Sequence, residues 1–241
     1  MSTPLLEVQH VTKRFGGFSA LTDVSLQVHA GERVGLIGPN GSGKTTLINC
    51  IAGVLRIDGG RILLRGANIT TRPAYQRTRL GIARSFQIPK PFTSMTVLDN
   101  LSIPLTYVRP AHAYKIDTVT TAMEILRRLG LEAKAHVVAA GLTLIELRKL
   151  ELARAMAATP TLLIADEAMA GLSSVEVDDI LAILVRLNEE GITIVMIEHI
   201  MRAVMRFSSR IIVLDAGHAI AEGTPEEIVR NSAVERAYLG A

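Results

Sequence analysis

Val34-Gly35-Leu36-Ile37 runs directly into Gly38-Pro39-Asn40-Gly41-Ser42-Gly43-Lys44-Thr45, and this stretch decides how the chain is read. The apolar residues make a short buried strand, residues 38–43 form a loop, and residues 44–52 read as a helix that Gly53 ends. The loop matches G-x-x-x-x-G-K-[ST], set between the strand and the helix that a phosphate-binding loop requires. That setting matters more than the string, which also arises by chance.

Glycines let successive backbone N–H groups turn inward toward phosphate oxygens, and the following helix N-terminus adds a favourable dipole. Gly38, Pro39, Asn40, Gly41, Ser42 and Gly43 are therefore expected to cradle the phosphates of a nucleoside triphosphate. Lys44 is expected to neutralise the β- and γ-phosphates, Thr45 to hold Mg²⁺ through its hydroxyl, and Thr46 to donate near the α-phosphate. Farther along, Leu162-Leu163-Ile164-Ala165-Asp166-Glu167 puts two carboxylates at the end of an apolar strand, where a parallel sheet opens onto its ligand crevice. Asp166 suits the magnesium shell. Glu167 suits polarising a water for attack on the γ-phosphate.

Bulk properties narrow the setting. A chain of 241 residues with 49 % hydrophobic content suits one large α/β domain or two small ones. The lone cysteine, Cys50, forms no internal disulfide and reads as a small core residue in a reducing interior. No apolar run approaches the ~20 residues that span a bilayer, and the N-terminus lacks the pattern of a secretory signal. A net charge of +3 is too mild to argue for nucleic acid. The groups Arg72, Arg77, Arg79, Arg84 and Arg202, Arg206, Arg210 read as solvated faces.

The pattern along the chain supports a P-loop α/β core. Residues 5–11 and 25–29 read as strands of an N-terminal antiparallel β layer, and Asp58-Gly59-Gly60 as a turn before a strand at 61–64. Residues 97–158 are mainly helical, an inserted subdomain in which Met123, Leu126 and Leu129 share a face. Strand 162–165, helix 175–190, strand 193–197 and a hairpin-like 210–222 follow, so the sheet is expected to be mostly parallel. The expected organisation is one domain over 1–241, with its core at about 1–88 and 159–241 and the helical subdomain at about 89–158. Ser173 begins a capping box with Glu176.

Taken in order, these segments resemble the ATP-binding cassette (ABC) ATPases over almost the entire chain. The resemblance implies that Phe15, in Lys13-Arg14-Phe15-Gly16-Gly17, stacks on adenine. It implies that Gln87 senses nucleotide through Mg²⁺ and water, and that His199, after Ile197-Glu198, is a switch residue near the γ-phosphate. The guanine-reading Asn-Lys-x-Asp string is absent, which favours ATP. The family's signature, ideally Leu-Ser-Gly-Gly-Gln, falls here at Leu142-Thr143-Leu144-Ile145-Glu146, without its glycines. In the family that segment closes over ATP held by the other subunit, so Ile145 is expected to hinder backbone approach while Thr143 still offers a hydroxyl.

Segments such as Gly81-Ile82-Ala83-Arg84-Ser85-Phe86-Gln87 and Ala221-Glu222-Gly223-Thr224-Pro225 resemble ATP-binding subunits of branched-chain amino acid importers and their urea or amide relatives. The implied partners are a second ATPase subunit, different or identical, membrane-spanning permease subunits and, indirectly, a periplasmic or surface solute-binding protein. The implied place is the cytoplasmic face of the cell membrane, with no nucleic acid. The alternative is a nucleotide-switched cassette acting on ribosomes or DNA without a membrane partner.

Overall fold

The computed structural model describes residues 3–85, 89–108 and 117–239. An N-terminal hairpin, β1 (Leu6–Phe15) and β2 (Phe18–Val28), leads to β3 (Arg33–Ile37), the phosphate loop and α1 (Lys44–Ile51). Then come β4 (Gly59–Leu64), β5 (Ala67–Asn68), α2 (Ala74–Arg79) and β6 (Ile82–Ser85). The helical segment holds α3 (Val97–Val108), α4 (Thr118–Arg128) and α5 (Leu144–Met156). The chain returns through β7 (Leu162–Asp166), α6 (Ser174–Glu189), β8 (Thr193–Ile197) and α7 (Met201–Phe207). It finishes with the hairpin β9 (Arg210–Asp215) and β10 (His218–Gly223), then α8 (Pro225–Val229) and α9 (Ser232–Leu239).

Two sheets result. One is antiparallel, in the order β2-β1-β4-β5; the other runs β10-β9-β3-β8-β7-β6, parallel except where β10 pairs with β9. Alternation along the central strands divides their side chains between two cores. Leu163, Ala165, Ile194, Met196, Ile211 and Val213 face the helical segment and α6, joining Val97, Leu126, Leu150 and Leu184. Leu162, Ile164, Val195, Ile197, Ile212 and Leu214 face α1 and the antiparallel sheet. Strands buried on both faces explain why these runs read as continuously apolar.

Local expectations hold at several helix ends. Ser173 caps α6 in a capping box with Glu176, and Gly130 after α4 and Gly53 after α1 take positive φ. Cys50 is fully buried, and burial pushes its thiol up to about 11. Two readings are corrected. Gly59 and Gly60 open β4 rather than forming a turn before it, because Gly60 (φ 87) passes close to β1, where a Cβ would lie 2.4 Å from the Gln9 and His10 carbonyl oxygens.

The second correction concerns the arginines. Arg202 and Arg206 are solvated and pair with Asp178, but Arg210 is held between Glu32 and Glu222. Arg77 is only 2 % exposed. Its guanidinium donates to the carbonyls of Cys50 and Ile51 at 2.6 and 2.8 Å, and to those of Thr70 and Arg72 at 2.8 Å each. The Cys50 carbonyl also accepts from the Gly53 N–H at 3.3 Å, and a buried cation on the last carbonyls of α1 meets the negative end of the helix dipole. Replacing Arg77 by Met should lower unfolding free energy by about 3 kcal/mol in denaturant titration, because buried carbonyls lose charge-assisted partners. A loss below about 1 kcal/mol would mean that other donors reach those carbonyls.

Candidate functional site

Three loops meet at the carboxyl ends of neighbouring strands. The phosphate loop follows β3, Asp166-Glu167 ends β7, and His199 follows β8, which lies between them. This is the edge where parallel sheets bind ligands. Gly38 (φ 151) and Gly43 (φ 103) are tightly enclosed: a Cβ would lie 2.0 Å from the Leu214 carbonyl oxygen at the first and 2.7 Å from that of Ala20 at the second. No side chain caps α1 at Gly43, and its first turn carries no acidic residue, so its amides favour an anion.

Lys44 is buried, with its ammonium donating to the Gly38 and Pro39 carbonyls at 2.7 and 3.0 Å. Burial pulls its pKa below the ordinary lysine value, opposed by the charges of Glu167 and Asp166. An added anion would reverse that penalty. The cleft around it, about 330 Å³, is lined by loop residues Asn40 to Thr46 together with Phe15, Phe18, Ala20, Glu167 and His199. The structure thus assembles most of the expected site.

Phe15 and Phe18 face each other across the Gly16-Gly17 turn and are 49 % and 64 % exposed. Two exposed rings beside a phosphate loop form a platform for a planar base. Phe18 escaped the sequence reading, although a two-residue turn makes its flanking residues direct cross-strand neighbours.

On the opposite side His199 Nε2 lies 3.1 Å from Glu167 Oε1. Glu167 takes a left-handed conformation (φ 46), and its N–H donates to the Ile197 carbonyl at 2.9 Å. Glu198, absent from the expected site, is buried and accepts from the Met169 N–H at 2.8 Å. Burial raises its pKa. Together these contacts pin the turn after β7 to the end of β8, holding a strained backbone in place. Only packing identifies Glu198, since a lone Glu beside a strand carries no sequence signal.

Asp166 is buried, and its N–H donates to Ser85 Oγ at 3.3 Å. Its Oδ2 accepts from Arg84 Nη2 at 2.5 Å, while Arg84 Nη1 donates to Asn49 Oδ1 at 2.5 Å. Arg84 is therefore no part of a solvated face, because β6 pairs beside β7 and aims it at the carboxylate. Thr45 and Asp166 offer only oxygen donors, which suits Mg²⁺, an ion that takes the rest of its shell from phosphate and water. No group of three or more His, Cys, Asp or Glu able to hold a metal occurs among the described residues. Gln87 lies outside the described residues.

The segment 142–146 begins α5. Thr143 is its N-cap: its hydroxyl accepts from the Glu146 N–H at 3.4 Å, and its own N–H donates to Glu146 Oε2 at 2.9 Å. That backbone bond holds the Glu146 carboxyl below the usual glutamate range. Ile145 is half-buried against the larger core, while Leu144, 42 % exposed, is the bulky residue more open to solvent.

Residues 21–170 match a family model described as ABC transporter, and residues 220–241 match one described as branched-chain amino acid ATP-binding cassette transporter. The high-affinity branched-chain amino acid transport ATP-binding protein LivG of Escherichia coli is 39 % identical over 256 residues, covering 100 % of this chain and 99 % of that protein. An ATP-binding cassette of an ABC transporter solved in its ADP conformation gives a TM-score of 0.89 at 32 % identity, covering 100 % of both chains. A bacterial ABC transporter cassette solved as a dimer gives 0.82 at 28 % identity, covering 91 % of this chain and 98 % of that one. Truncating Lys44 to Ala should weaken ATP binding at least about tenfold in calorimetry, the equivalent of one lost charge-assisted contact. Unchanged affinity would remove Lys44 from nucleotide binding.

Proposed function

Because the chain belongs to the ABC transporter ATPases, we propose that it is the ATP-hydrolysing motor subunit of an importer for branched-chain amino acids or related small polar solutes. The observation that carries the ATPase reading is the single cleft shared by Lys44, Glu167 and His199. Likeness over the whole chain to a transport ATP-binding protein favours the importer over a cassette working on ribosomes or DNA. Among the described residues no helix is long and apolar enough to cross a membrane. In this reading permease subunits supply the crossing and this chain works at their cytoplasmic face.

In this reading the amides of residues 38–43 and Lys44 grip the β- and γ-phosphates, Thr46 reaches the α-phosphate, and Phe15 with Phe18 holds adenine. Mg²⁺, held by Thr45, Asp166 and Gln87, would draw charge from the phosphate oxygens when bound. Glu167 accepts a hydrogen bond from the attacking water and aligns it with the γ-phosphorus. His199 orients Glu167 and reaches toward the departing phosphate. Catalysis is thus positioning and electrostatics rather than covalent chemistry.

An apolar groove of about 290 Å³ is the place for a permease helix, lined by Val54 and Ala74 on one side and Phe92, Ile103 and Tyr107 on the other. A second ATPase subunit completes the machine. We infer an unequal pair, supported by the N-terminus of α5: Thr143 N–H is taken by Glu146, whose negative charge sits where the partner's ATP would approach, and Leu144 stands beside it. The partner then supplies the intact signature for ATP on Lys44, while ATP on the partner's own lysine is mainly held.

Glu167→Gln should retain nucleotide but hydrolyse it at least about tenfold more slowly in the assembled complex, since it removes the water-orienting carboxylate at little steric cost. Near-normal turnover would take Glu167 out of the mechanism. Vesicle uptake should be stopped far more completely by Lys44→Ala than by the equivalent change in the partner. The chain alone should turn over roughly a hundredfold more slowly than the complex, as expected for a lost transition-state contact. Equal losses from the two lysine changes would mean that residues 142–146 work as a normal signature.

A further inference from the structure

Arg84 is the only ion-pair partner recorded for Asp166 among the described residues, and the pair is enclosed, with side-chain exposures of 12 % and 6 %. The other arm of the guanidinium is held by Asn49 on α1, immediately behind the phosphate loop. The same side chain also lines the apolar groove, alongside Glu151 and Arg154, with the carboxylate of Glu151 on that wall. Arg84 therefore belongs to two places at once: one end lies on the carboxylate at the nucleotide cleft, and its flank faces the groove.

A carboxylate buried this deeply needs a compensating charge at all times, and a guanidinium and a divalent cation on one carboxylate would repel each other across a few ångströms. We propose that Arg84 is a tethered counter-ion that neutralises Asp166 before the metal nucleotide arrives and gives the carboxylate up to the metal, turning its charge toward the groove. The inference rests on the reading of Asp166 as part of the magnesium shell. It makes Arg84 a positioning residue whose charge, and not merely its shape, reports metal loading to the surface where the permease seats. The two backbones are fixed relative to each other: β6 lies in register beside β7, with Arg84 opposite Ile164 and Ser85 opposite Ala165.

The quantity to measure is the gain in ATP affinity that Mg²⁺ confers, the ratio of dissociation constants in chelator and in magnesium, by calorimetry on the full chain. Arg84→Gln should raise this ratio about tenfold, because ATP without metal then meets an unpaired Asp166 charge and metal binding no longer displaces a cation. Arg84→Lys, which keeps the charge, should stay within about threefold of the parent. A guanidinium that merely held the carboxylate in shape would give the opposite sign, since loosening the support of a metal ligand weakens metal binding. An unchanged or lowered ratio in Arg84→Gln therefore overturns the proposal.

Asp166→Asn separates the two layers. If it leaves the magnesium gain intact, the reading of Asp166 is wrong and the proposal falls with it. If it abolishes the gain while Arg84→Gln does not raise it, only the proposal fails. Should Arg84→Gln not fold, the unaltered chain decides. With ¹⁵N-labelled arginine, the Arg84 guanidinium signal, assigned by its loss in Arg84→Lys, should shift when Mg²⁺ is added to the ATP-bound protein. A signal that does not respond to the metal overturns the exchange.

Discussion

Everything at the site depends on the burial of β3, β8 and β7 on both faces. A one-residue slip of any of these strands would exchange the side chains of its two cores, moving Leu163 and Ala165 into the place of Leu162 and Ile164. Register is therefore tightly specified, and with it the positions of the three strand ends from which Gly38, Asp166 and His199 emerge. The loops can be short because their anchors do not move.

With the scaffold fixed, the chemistry is a matter of placing charge where little water reaches. Lys44 leans on two backbone carbonyls, Asp166 on Arg84, and Glu198 on backbone amides. Lys44 and Glu198 are thereby held in geometries with low reorganisation cost, as electrostatic catalysis requires. The left-handed backbone at Glu167 belongs to the same design: the bonds from the 167 and 169 amides to β8 hold it, and they aim its side chain into the cleft toward His199.

The start of α5 works by the opposite logic. At α1 the helix amides are left to a ligand, whereas at α5 they are satisfied within the chain by Thr143 and Glu146. Two helix N-termini in one cassette thus differ in electrostatic character, one open to phosphate and the other already facing a carboxylate. The proposed unequal pair of subunits rests on that contrast more than on the loss of glycines, since Ile145, the residue expected to obstruct, is half-buried against the core.

The sequence alone determined the strand-loop-helix around Lys44, the acidic strand end at Asp166 and Glu167, the capped start of α6 and the α/β class, because each follows from contacts within a few residues or from the periodicity of burial. It also located Phe15 and His199 through the order of motifs. What it could not supply were relations between segments distant in the chain. Arg77 and Arg84 look alike as members of a basic run, yet one closes the carbonyl end of α1 and the other pairs with Asp166, because α2 sets Arg77 against the end of α1 while β6 pairs with β7. Glu198 and Phe18 likewise acquire their places only when β8 meets the turn after β7 and the N-terminal hairpin closes over the phosphate loop. Whether a charged side chain is solvated, structural or functional depends on what the fold brings against it, and that is decided by tertiary packing.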